Sequence, residues 1–124
     1  MNSRHMFGSL VARTACALGL MWAVAAWAHV FPRTQVPAAG ATVAPPGEVQ
    51  INFDGPLEPA FSSLTVTDSG GRQVNVAKAV VDAQHQEAMT VALPSLQPGH
   101  YTVHWAAVAS DGHRTHGDYG FDVK

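Results

Sequence analysis

Apolar and polar residues in this chain alternate with the period of a strand, and no stretch sustains the period of a helix. Val49, Ile51 and Phe53 fall on one side, Gln50 and Asn52 on the other, the pattern of a strand buried on one face. Asp54-Gly55-Pro56 stops it, and Leu57, Phe61 and Leu64 suit a short connection packed beneath a sheet. Two β-rich runs, Ser63 to Thr67 and Gln73 to Ala77, flank Asp68-Ser69-Gly70-Gly71-Arg72, whose glycines permit the positive φ of a hairpin. Ala79 to Ala83 reads as a further short strand and Gln84-His85-Gln86-Glu87 as a polar turn. Met89, Val91 and Leu93 form the next apolar face.

His100 to Val108 carries the strongest pattern, with Tyr101, Val103 and Trp105 inward and Thr102 and His104 outward. Tyr119, Phe121 and Val123 make the last strand, and the residues between, Ser110 to Gly117, read as a tight polar loop. Upstream, Pro32, Pro37, Pro45 and Pro46 exclude a helix interior. That region is expected to be an extended edge strand with a turn at Pro37-Ala38-Ala39-Gly40. About seven short strands, with turns roughly every 8–12 residues, predict an all-β fold: an immunoglobulin-like antiparallel β-sandwich.

The first 28 residues break this pattern. Arg4 and Arg13 precede an apolar run from Ala15 to Ala25, and Ala26-Trp27-Ala28 supplies the small-x-small pattern before a cleavage site. Residues 1–28 are therefore read as a secretory signal peptide and 29–124 as one domain. An uncleaved anchor is the alternative, but the run is shorter than the roughly 20 apolar residues that span a bilayer. The one cysteine, Cys16, lies inside the leader, and an Arg stands three positions before it where a lipoprotein signal needs an apolar residue. The remaining chain has no thiol for a disulfide or a thiolate metal site. Met89 is its only methionine.

The chain has seven Lys and Arg against nine Asp and Glu, a net charge of −2 with His neutral. Two of the cations belong to the leader, so the domain itself is more acidic still. That balance argues against nucleic acid, which demands clustered cations.

The candidate chemistry lies at Ser110-Asp111-Gly112-His113-Arg114-Thr115-His116-Gly117. A carboxylate and an imidazole separated by one Gly can turn toward one point. Cleavage after Ala28 would add His29 as the first residue, with two nitrogen donors, its α-amine and its imidazole Nδ1. An α-amine titrates near about 7.7–8.0, so a metal can displace its proton at neutral pH. Nitrogen-rich, thiolate-free coordination suits Cu(II), and zinc would accept the same atoms in a tetrahedral array. A strand of eight residues is roughly 27 Å long, so the proposal requires the new terminus and the 110–117 loop to share one end of the sandwich.

The same residues carry a resemblance. Gly99-His100-Tyr101-Thr102-Val103-His104-Trp105, Val108, Ser110-Asp111-Gly112-His113, Gly117 and Phe121 resemble the signature of the CopC/PcoC family of periplasmic copper-resistance proteins. His29-Val30-Phe31, Pro37, Gly40-Ala41-Thr42-Val43, Phe53, Pro56-Leu57 and Phe61 agree with it. The resemblance implies a periplasmic Cu(II) carrier for copper resistance, with His29, Asp111 and His113 as metal ligands. It implies a copper ion as cargo and a CopD-like inner-membrane transporter as a partner, with no small-molecule substrate and no enzymatic step. The methionine-rich Cu(I) loop of some members is missing.

The rival reading is an oxidative copper enzyme, because lytic polysaccharide monooxygenases also use an N-terminal amine with two imidazoles. A short chain without an aromatic platform speaks against it, as does a carboxylate at a position that oxygen chemistry prefers open. His116 could approach the metal but reads better as an exposed neighbour. His85, His100 and His104 read as surface histidines, and Trp105 and Tyr101 as core.

Overall fold

The structure, a computed structural model, describes residue 19 and residues 29–124. The expected signal peptide, Cys16 included, otherwise lies outside the described residues. Eight strands run in order: β1 (Pro32–Val36), β2 (Thr42–Val43), β3 (Glu48–Phe53), β4 (Ser63–Asp68), β5 (Val80–Val81), β6 (Ala88–Ala92), β7 (Gly99–Val108) and β8 (Arg114–Val123). They form two four-stranded sheets, ordered β1-β3-β6-β5 and β2-β8-β7-β4. No helix of the described residues is long and apolar enough to cross a membrane.

Alternation explains the layering. Val49, Ile51 and Phe53 of β3 and Met89 and Val91 of β6 point from the first sheet into the space between the two. Leu64 and Val66 of β4, Tyr101, Val103 and Trp105 of β7, and Phe121 and Val123 of β8 meet them from the second. Phe53 packs edge-on against Trp105 with ring centroids 5.5 Å apart, while Tyr101 stacks on Phe121 at 5.7 Å. Such aromatic pairs add to the burial of area that drives the sheets together. The Tyr101 hydroxyl donates to the Gln97 carbonyl at 2.6 Å, pinning the loop that enters β7.

β7 and β8 pair antiparallel from Gly99↔Val123 to Val108↔Arg114 and form the backbone of the second sheet. Gly117 is part of the reason they pack so closely on the core. A Cβ there would stand 2.8 Å from the Trp105 ring, so only glycine lets the indole lie flat beneath β8.

Several expectations need correction. The polar loop is shorter than Ser110–Gly117: Arg114 to Gly117 already belong to β8. Only the turn remains, closed by Gly112 N–H to Ala109 O and Ala109 N–H to His113 O, each at 2.9 Å. The run 73–77 is no strand and keeps a single bridge, Thr67↔Gln73. Asn75 stands in for it with its side chain, accepting from Val66 N–H at 2.9 Å and donating to Ala77 O at 3.1 Å. That leaves Val76 turned outward and 92% exposed. Phe61, expected beneath the sheet, is also largely exposed. After β1 the chain leaves the first sheet at the turn over residues 37–41, and β2 pairs in parallel with β8. That crossing has no signature in the alternation.

Candidate metal centre

Three segments meet at one end of the sandwich: the residues before β1, the end of β3 and the turn before β8. The turn depends on Gly112, whose φ of 89° lies in the left-handed region that residues with a Cβ avoid. This lets the chain fold back between Asp111 and His113, so their side chains point the same way. Asp111 Oδ1 accepts the His113 backbone N–H at 3.1 Å, and Oδ2 meets His113 Nδ1 at 2.7 Å. The backbone N–H of His113 is the main reason the Asp111 carboxyl is held below its usual range, against the upward push of desolvation. With Nδ1 committed to the carboxylate, the imidazole presents Nε2 outward, the tautomer that a carboxylate–histidine pair prepares for a metal. Both side chains reach solvent, His113 at 58% and Asp111 at 40% exposure.

His29 lies against this pair. Its ring centroid is 5.1 Å from that of His113, in an edge-on arrangement, and 6.3 Å from that of Phe31. Its approach follows from the residues after it. The Val30 side chain enters the core, where a Cβ on Gly55 would stand 3.0 Å from its Cγ1. Asp54, just past β3, clamps Phe31 from both sides: Oδ1 accepts Phe31 N–H at 2.9 Å, and Asp54 N–H donates to Phe31 O at 3.0 Å. His29 and the Asp-Gly-His turn therefore share one end.

The residues as they stand do not form a closed cage. Among the described residues no three His, Cys, Asp or Glu side chains converge on one point at metal-ligand distances. The His113 and His29 rings cross at 62°, and the backbone nitrogen of His29 is a peptide nitrogen, which offers a metal no free lone pair. The donor chemistry nonetheless suits a copper ion: two imidazoles and one carboxylate, with no sulfur. Met89, the only described methionine, is fully buried in β6 and offers no thioether.

The other histidines go elsewhere. His116 is exposed on the outer face of β8, opposite Ala106. It lines a shallow depression of about 220 Å³ with His104, Arg114 and Asp118. His104 Nδ1 meets Asp118 Oδ1 at 2.6 Å and its Nε2 meets Thr67 Oγ1 at 2.9 Å. His100 Nδ1 meets Asp122 Oδ1 at 2.9 Å. These cross-strand pairs went unread in the sequence, because 104 faces 118 and 100 faces 122 only once the β7–β8 register is known. Asp82 caps the 82–88 turn by accepting from Gln84 and His85 N–H. Those backbone donors, Gln84 first, draw its carboxyl below the usual range.

Comparison with known proteins places the whole domain. Residues 33–124 match the CopC domain family. Protein YobA of Escherichia coli K12 is 40% identical over 100 residues, covering 79% of this chain and 81% of that protein. The crystal structure of CopC from Methylosinus trichosporium OB3b superposes with a TM-score of 0.73 at 37% identity, covering 77% of this chain and 94% of that one. PcoC, a methionine-rich copper resistance protein from Escherichia coli, superposes with a TM-score of 0.70 at 34% identity, covering 78% and 100%.

Proposed function

The chain belongs to the CopC family of copper-resistance proteins, and from that premise we propose that it is an exported Cu(II) carrier completed by removal of its leader. In this reading residues 1–28 direct export to the periplasm and are cut away. The freed α-amine and the Nδ1 of His29 chelate one Cu(II), His113 adds Nε2, and Asp111 adds a carboxylate oxygen. The observation that carries it is the 5.1 Å approach of the His29 and His113 rings, with Asp111 hydrogen-bonded to His113.

The division of labour follows from the donors. His29 supplies two nitrogens from one residue, so a single ordering event brings two ligands. In the metal-free chain Asp111 holds His113 through Nδ1; to coordinate a metal on Nε2 the carboxylate turns away from that nitrogen and offers its lone pairs instead. The carboxylate also offsets part of the cation's charge. The centre is at the surface, where copper can be taken up and handed on without opening the core. Buffering copper, or delivering it to a CopD-like membrane partner, needs no more than this. The enzymatic alternative is disfavoured by the donor set, because Asp111 as a fourth ligand would fill a position that oxygen chemistry needs open.

The processed protein, beginning at His29, is expected to bind one Cu(II) with a tetragonal, nitrogen-rich EPR signal. His29→Ala, or a chain retaining residues before His29, should lose most of that affinity. Asp111→Ala should cost less than His113→Ala, since an oxygen donor is lost rather than a nitrogen. Unchanged affinity in His29→Ala would refute the assignment.

A further inference from the structure

The inward row of β8 runs Thr115, Gly117, Tyr119, Phe121, Val123, and its first member is out of character. Thr115 is 8% exposed at the core's edge, where an apolar side chain would serve packing better. Its hydroxyl is not idle: Oγ1 donates to the backbone carbonyl of Val30. The bond joins the residue immediately after His29 to a residue two positions after His113, on the same strand edge as the Asp-Gly-His turn.

We infer that Thr115 is the positioning residue of the copper centre, tying the new N-terminus to the turn that bears Asp111 and His113. This rests on the proposed Cu(II) reading of that site. A terminal residue ahead of an edge strand normally frays. Here three attachments oppose fraying, and they differ in kind. Val30 is anchored by its side chain in the core, and Phe31 by its backbone to Asp54. The first holds the terminus to the core that both sheets share, and the second to the residue just past β3. Thr115 alone among them hydrogen-bonds it to β8, the strand that the Asp-Gly-His turn leads into. It thereby sets the distance between the two halves of the ligand set.

The consequence is one of effective concentration. His29 alone offers a bidentate chelate that any free N-terminal histidine has. His113 adds to it only in proportion to the time the two spend within reach. Loosening the Val30 carbonyl lowers that proportion without touching a donor atom. Thr115 therefore contributes to affinity through His113 and not independently of it.

That dependence separates positioning from mere structural support in a double-mutant cycle. Cu(II) affinity of the processed chain would be measured by competition with a chelator of known strength, at a temperature where near-UV circular dichroism shows each variant folded. Thr115→Val, which keeps the shape and removes the hydroxyl, should weaken binding about tenfold or more, while Thr115→Ser should stay within about threefold of wild type. His113→Ala combined with Thr115→Val should be no weaker than His113→Ala alone. Additive losses, or a Thr115→Val variant that binds like wild type, would overturn the inference while leaving the copper site standing. A wild-type protein without the nitrogen-rich EPR signal would remove the copper reading and the positioning role together. A second measurement needs no variant. In the metal-free wild type, the backbone amide of Val30 should show an NMR order parameter near about 0.85, as in a rigid strand, and a value below about 0.6 would overturn the tether.

Discussion

Tyr119 shows how much one atom can matter in so small a core. Its ring packs against the apolar cluster, yet its hydroxyl is buried without a hydrogen-bond partner, the only such side-chain atom among the described residues. A buried hydroxyl gives up its bonds to water on folding, at a cost of about 1–3 kcal/mol when nothing replaces them. Tyr119→Phe removes that cost and keeps the ring, so it should raise stability by about 1 kcal/mol in urea unfolding. The same burial pushes the phenol up to about 12, against about 10 in an unfolded chain. A raised pKa means that the folded state holds the proton more tightly. Its contribution is complete below pH 10 and is lost as pH rises toward 12. The wild type should therefore fall further behind Tyr119→Phe across that window, and a constant gap between them would show that the hydroxyl finds a partner in solution.

At the scale of elements, the alternation of β3, β6, β7 and β8 was legible because a strand buried on one face writes its orientation into every second residue. Tyr101, Val103 and Trp105 entered the core as that pattern requires. What stayed hidden were features that depend on partners distant in sequence. Asn75 replaces a strand with one side chain, β2 crosses to pair in parallel with β8, and Thr115 reaches Val30. None leaves a periodic trace. The candidate ligands were legible, and the contacts that assemble them were not. Asp111-Gly112-His113 is local and His29 is marked by the expected cleavage site, but Val30 burial and the Asp54 clamp, which bring His29 to the turn, leave no trace in the pattern. Gly117 belongs between these cases, a glycine visible in the sequence whose reason is the Trp105 ring beneath it. Gly117→Ala would set a Cβ 2.8 Å from that ring, and the backbone of a central strand has little room to give. A loss of about 1–3 kcal/mol is expected, as for other overpacked cores, with a changed Trp fluorescence as the indole leaves Phe53. An unaltered spectrum and midpoint would mean that β8 can shift away from the core.

For the molecule as a whole, the proposed copper site would make binding and folding one equilibrium, and the form of the coupling is informative. A ligand stabilises a protein only through its preference for the folded state over the unfolded one. The amine and imidazole of His29 are adjacent in the chain, so the unfolded processed protein can chelate copper with them almost as well. His113 and Asp111 are distant from His29 in sequence and join it only when the sandwich brings the two segments together. Closing so long a loop in the unfolded chain is opposed by entropy. Excess Cu(II) should therefore raise the urea midpoint of the processed wild type with no change in slope. The gain should be about 2–4 kcal/mol if the folded site is favoured by two to three orders of magnitude. The His113→Ala variant should still bind copper through its terminus, yet gain far less stability, because most of its remaining donors serve the folded and unfolded chains alike. An equal gain in wild type and His113→Ala would mean that the fold adds nothing to the metal's coordination, and that the end-to-end meeting of terminus and turn has another purpose.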